Sequence, residues 1–149
     1  MLDQYKSQCH KRQKIIISKD VRSKNPSKHT AHNQRRHCVY QYCLDDRTIL
    51  KNSVQRCDYL LLNDDKKRAY FIEFKGKHIE KAKKQIESSI RLLAKDIEEY
   101  TKFYRIIYKT GTHGVRSAPM VHWIRECGRI GQVQVVVIKE RFYEENIDF

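Results

Sequence analysis

The feature that most limits the fold of this 149-residue chain is a pair of short apolar runs separated by a turn. Cys57-Asp58-Tyr59-Leu60-Leu61-Leu62 leads into Asn63-Asp64-Asp65-Lys66-Lys67, and Ala69-Tyr70-Phe71-Ile72-Glu73-Phe74-Lys75 follows. Strand-prone residues on both sides of a turn-forming stretch predict a hairpin of two buried strands, ended by Gly76. Three charged residues interrupt the apolar runs: Asp58 in the first, Glu73 and Lys75 in the second. Residues two apart in a strand share a face, so Glu73 and Lys75 project together. A register that sets Asp58 beside Glu73 then gathers two carboxylates and one ammonium.

The hairpin is followed by apolar residues at Ile79, Ala82, Ile86, Ile90, Leu93 and Ile97, one stripe of an amphipathic helix running to about residue 99. Beyond it the pattern predicts a strand over residues 103–108, a loop over 111–119, a short helix over 120–127 and a last buried strand over 133–138. Upstream, residues 37–43 alternate as a strand does, Asp45-Asp46-Arg47 supplies a turn, and a short strand fits near residues 48–50. Residues 1–36 form a polar, basic segment, with helix-compatible sequence over 2–13, an apolar run at Ile15-Ile16-Ile17 and a loop over 23–27. This order predicts a mixed α/β sandwich, and the length predicts one domain spanning residues 1–149.

Lys and Arg outnumber Asp and Glu by 31 to 18, a net +13. Residues 1–56 hold 13 basic against 4 acidic side chains (+9), and residues 57–149 hold 18 against 14 (+4). So uneven an excess points to a polyanionic partner, and nucleic acid is the simplest. No run of eighteen apolar residues and no signal-peptide core is present, so the expectation is a cytoplasmic protein with no membrane partner. The odd set of five cysteines has no framework spacing, which suits reduced thiols. His29, His32, His37, Cys38, Cys43 and Cys57 match no ordinary zinc-ligand spacing.

Charged groups in apolar strands are costly unless paired or coordinated. A divalent metal would account for Asp58 and Glu73. Mg²⁺ favours a few carboxylate oxygens with retained waters and substrate phosphate oxygens, and the backbone carbonyl of Phe74 offers a further ligand; Mn²⁺ is expected to substitute. Such an ion activates water and offsets charge on a phosphate, and Lys75 beside it would position or deprotonate the attacking water. Gln85, about two turns into the helix, offers an amide to that water or to a phosphate. Lys77, Lys81 and Lys84 suit a nucleic-acid backbone, and His113 and Arg116 in the later loop are further candidate contacts.

Asp58, Glu73-x-Lys75 and Gln85 on the next helix together resemble the PD-(D/E)XK nuclease superfamily, which includes restriction endonucleases, Holliday junction resolvases and repair nucleases. The resemblance covers residues 57 to about 90, and the wider element order agrees with it through residue 108. It implies a restriction-endonuclease-like αβββαβ core, a mixed central sheet flanked by helices. By the same resemblance Asp58 and Glu73 are metal ligands, Lys75 is the catalytic lysine, Gln85 is an accessory residue, and DNA is a likelier substrate than RNA. A homodimer is expected by analogy. Two departures stand out: Cys57 replaces the proline before the aspartate, and the acid that many members carry on the first helix has only Asp3 and Asp20 as upstream counterparts. The expected activity is a metal-dependent endonuclease; the alternative is a non-catalytic, basic nucleic-acid-binding module on the same fold.

Overall fold

A strand that is apolar along its whole length needs cover on both faces. Helices supply it on one side of a sheet and a second sheet supplies it on the other. The computed structural model describes residues 2, 5–45, 55–76, 78–110, 116–129 and 133–149. Their elements are, in chain order, β1 (Lys6–Lys11), β2 (Ile15–Lys19), β3 (Lys28–His32), β4 (Cys38–Cys43), β5 (Tyr59–Asn63), β6 (Arg68–Lys75), α1 (Ile79–Leu92), β7 (Thr101–Tyr108), α2 (Ala118–Arg129), β8 (Val133–Lys139) and β9 (Phe142–Asn146). The larger sheet has the order β1-β4-β5-β6-β7-β8, antiparallel as far as β6 and parallel from β6 to β8. The smaller sheet has the order β2-β3-β9, with β3 antiparallel to β2 and parallel to β9. The protein is a mixed α/β fold with two mixed sheets.

The pleat of β6 divides the core. Ala69 and Phe71 face the helices, where they join Leu60, Leu62, Ile79, Ala82, Ile86, Met120 and Trp123. Tyr70, Ile72 and Phe74 face the smaller sheet with Leu61, Ile16, Ala31, Phe103 and Ile107. The unbroken apolar run of β6 is thus the sum of two buried faces.

The stripe of α1 is buried as its spacing predicts, at Ile79, Ala82 and Ile86. The helix itself stops at Leu92, short of the expected end near residue 99. Leu93 and Ile97 remain fully buried, but the chain tightens there into turns, with Asp96 N–H donating to the Leu93 carbonyl and Tyr100 N–H to that of Ile97. The tightening lets the chain reverse direction into β7.

Within the stretch 2–13, whose composition allows a helix, β1 occupies Lys6–Lys11 and pairs with β4. Pairing to a sheet edge overrides local propensity here. The short strand expected near residues 48–50 falls outside the described residues. β9 was not expected, because Phe-Tyr-Glu-Glu-Asn reads as a charged tail. Among the described residues no helix is long and apolar enough to cross a membrane, and Cys38, Cys43, Cys57 and Cys127 are free thiols.

β9 is held by a charge network between the sheets. Glu145 accepts from Arg105 Nε at 2.8 Å and Nη2 at 2.9 Å, and pairs with His29 Nε2 at 2.7 Å. Arg105, itself buried, also donates to Gln134 Oε1 at 2.7 Å and to the Tyr104 carbonyl. Burial alone would raise the Glu145 carboxyl, but the hydrogen bonds from His29 and Arg105 outweigh it and hold it below the ordinary value. Glu145→Ala leaves a buried guanidinium unpaired and is expected to cost about 3–5 kcal/mol at pH 7. Because the folded-state value is depressed, the stabilisation is present above the ordinary glutamate value of 4.5 and is lost as pH falls. Urea titrations of both proteins between pH 7 and pH 3 should show the gap narrowing only on the acid side.

Candidate active site

Asp58 enters the larger sheet one residue before β5. The pairing of Tyr59 with Ile72 carries Asp58 opposite Glu73. Both lie on the helix side, in line with Leu60 and Phe71, so the two carboxylates are cross-strand neighbours. Asp58 is 5% exposed and Glu73 is fully buried. Lys75 shares their face, with its Nζ 2.9 Å from Glu73 Oε2. The two carboxylates and the ammonium expected from the hairpin therefore do come together.

Their hydrogen bonding is unequal. Asp58 Oδ2 accepts the Phe74 backbone N–H at 2.8 Å, and Oδ1 accepts Arg22 Nη2 at 2.8 Å. Glu73 has the Lys75 ammonium at 2.9 Å from Oε2 and no backbone N–H against either oxygen, so its charge rests on that one cation. Burial raises both carboxyls above the ordinary range. For Asp58, Arg22 and the Phe74 N–H pull back against it; for Glu73, Asp58 adds to it and only Lys75 opposes it.

Phe74 was expected to contribute its carbonyl. The group that meets Asp58 is its N–H. A residue in an extended strand turns its N–H and C=O towards the same neighbouring strand, so the carbonyl lies on the β5 side as well. Gln85 is also placed differently. Its Nε2 donates to the Arg56 carbonyl at 3.1 Å, and Ser89 Oγ, one turn on, accepts the Cys57 N–H at 2.8 Å. α1 thus clamps the two residues before Asp58, while Gln85 Oε1 stays buried without a partner. Lys81 and Lys84 are exposed on α1, and Arg116 is exposed just before α2. Lys77 and His113 lie outside the described residues.

Arg22 and Asp45 were missed, and Asp20 had been weighed only as an upstream acid. Arg22, in the β2–β3 loop, reaches Asp58 and also lies 3.3 Å from Asp45 and 3.6 Å from Asp20. Asp20 therefore stands at the edge of the site through Arg22, and Asp45 closes the other side. A cavity of about 30 Å³ opens beside them, with Asp20, Arg22, Asp45 and Asp58 in its lining. A wider groove of about 480 Å³ lies between Asn25, Lys109, Lys139, Glu140 and Arg141. Lys139 pairs with Tyr108 and Tyr108 with Lys75, so this groove is at the same end of the sheet as the carboxylates.

Among the described residues no group of three His, Cys, Asp or Glu is gathered for a metal. Asp58 and Glu73 suit a cation that keeps most of its waters, as Mg²⁺ does. Two buried carboxylates side by side, each with one cationic side chain against it, leave oxygen lone pairs that such a cation could take.

A raised folded-state value for Glu73 means that its contribution is favourable below the ordinary glutamate value of 4.5 and is lost as pH rises. Glu73→Gln removes that loss. It is expected to raise stability by about 1 kcal/mol at pH 8, with the gain vanishing below about pH 4.5. Thermal melts across this range check it, and a destabilised Gln variant at pH 8 would contradict the assignment.

No protein-family model, curated protein or solved structure matches this chain.

Proposed function

We propose that the protein is a metal-dependent nuclease of the PD-(D/E)XK type, acting on DNA in preference to RNA, with the restriction-endonuclease-like core formed by β4 to β7 and α1. The observation that carries this reading is the cross-strand placement of Asp58 and Glu73 in a wall buried on both faces, with Lys75 drawn against Glu73. Glu73 has one ammonium and no backbone donor against it, little compensation for a carboxylate so deeply buried.

In this reading Asp58, Glu73 and the Phe74 carbonyl hold Mg²⁺ or Mn²⁺. The bound ion supplies Lewis-acid polarisation of the scissile phosphate and an acidified water. Lys75 holds the attacking water on the side of Glu73 and offsets charge as the phosphorane-like transition state forms. Gln85 acts as a positioning residue: through Arg56 it fixes the strand entry that carries Asp58, and its free Oε1 accepts from a water in the site. Lys81, Lys84 and Arg116 remain candidate backbone contacts, and Lys109, Lys139 and Arg141 add a basic groove at the same end. The overall charge of +13 suits this partner.

A binding-only module is the second reading. It is favoured by one observation: Arg22 already compensates Asp58, so the acids are partly neutralised without a metal.

Purified protein incubated with supercoiled, linear, single-stranded and branched DNA, and with RNA, separates the two. The nuclease reading expects cleavage that requires Mg²⁺ or Mn²⁺ and falls by about a hundredfold or more in Lys75→Ala and Glu73→Ala. Binding without cleavage in either metal supports the module instead.

A further inference from the structure

Arg22 is the one long-range contact that the metal-site reading leaves unexplained. Its guanidinium occupies Oδ1 of Asp58 at 2.8 Å while Oδ2 accepts the Phe74 N–H, so a cation at Asp58 would have to compete with one of these donors. Asp20 and Asp45 flank it at 3.6 and 3.3 Å. Glu73, fully buried and paired with Lys75, stands beside Asp58. The arginine side chain is 46% exposed, held by these carboxylates at a surface open to solvent.

We propose that Arg22 is an exchangeable counter-ion: it holds Asp58 while the site lacks a metal, is displaced when a divalent cation takes that carboxylate, and then binds a phosphate of the substrate. The inference rests on the metal-site reading and adds a substrate-contacting residue to it. Three features support it. The first is charge: Asp58 cannot stay ionised and buried without a cation, and the planar fork supplies one. The second is geometry. The cavity of about 30 Å³ beside the guanidinium, lined on its polar side by Lys19, Asp20, Asp45 and Asp58, has room for a water-sized occupant next to Asp58. The third is the tether. Asp20 N–H donates to the Ser27 carbonyl at 3.0 Å, and Lys109 Nζ binds Ser23 Oγ and the Asn25 carbonyl, each at 2.7 Å. The loop backbone is therefore anchored, and a released guanidinium stays within one side-chain length of Asp58. A guanidinium is a bidentate donor to phosphate oxygens as readily as to a carboxylate.

Two titrations test this. Mn²⁺ is titrated into the parent and into Arg22→Ala, and inorganic phosphate is then titrated into each Mn²⁺-loaded protein, both by calorimetry. Removing a competitor worth one charge-assisted hydrogen bond should tighten Mn²⁺ binding about tenfold, and removing the phosphate donor should weaken phosphate binding by about the same factor. Arg22→Gln keeps a hydrogen-bonding side chain without the charge and should shift both constants in the same directions if the alanine variant folds poorly. Unchanged or weaker Mn²⁺ binding overturns the proposal, and so does unchanged phosphate binding. If both shifts appear in a protein that cleaves no nucleic acid, the exchange stands and the nuclease reading falls; if cleavage is metal-dependent but Mn²⁺ affinity ignores Arg22, the reverse holds.

Discussion

The register between β5 and β6 is the constraint on which the rest depends, because β6 is buried on both faces. A slip of one residue would carry Tyr70, Ile72 and Phe74 to the helix side and turn Glu73 and Lys75 into the apolar space between the sheets. Both outcomes are strongly unfavourable, so the packing that stabilises the fold also fixes where its charges go. The turn reinforces the register. Asn63 caps it by accepting the Lys66 N–H at Oδ1, Lys67 adopts a positive φ of 51°, and Asn63 Nδ2 reaches across to the Ile147 carbonyl in the C-terminal segment. Asp58 stands opposite Glu73 as a consequence of apolar pairing several residues away.

Two buried glutamates in one molecule show what that placement means. Glu145 sits between the sheets with aligned donors from Arg105 and His29, and its carboxyl is held below the ordinary range. Glu73 sits on the other face of the sheet with only Lys75 against it, beside a second carboxylate, and burial holds it well above that range. The fold is able to satisfy a buried carboxylate fully and does so at β9. At β6 a single ammonium stands against the carboxylate. One network locks the sheets together, and the other leaves two carboxylates side by side at a sheet end.

The hairpin, the α1 stripe and the shared face of Glu73 and Lys75 could be read from the sequence because each is set by neighbours a few residues apart. The apolar runs around residues 63–67 admit few registers, and spacings of three and four admit one helix face. Arg22 could not be read in this way. It lies 36 residues from Asp58, in a loop whose sequence, Asp20-Val21-Arg22-Ser23, has no local peculiarity. β9 escaped for a related reason. It pairs in parallel with β3, more than a hundred residues earlier, and its alternation is carried by Tyr143 and Glu145 rather than by aliphatic side chains. Gln85 was placed on the correct element, but its amide goes to a backbone carbonyl that only tertiary packing brings near.

The basic N-terminal segment changes character once the pairing is known. Instead of an appended arm, residues 15–32 build two strands of the smaller sheet, with Ile16 and Ala31 fully buried against Leu61, Tyr70 and Ile72. The loop between those strands is thereby delivered to the end of the larger sheet, where Asp20 and Arg22 meet Asp58, and Lys109 at the end of β7 ties the loop down. Charge of the basic N-terminal segment is thus positioned by a hydrophobic interface. The electrostatics of the carboxylate pair depend on how the smaller sheet packs against the larger one, and a substitution at Ile16 or Ala31 would act on the site through Arg22 without touching it.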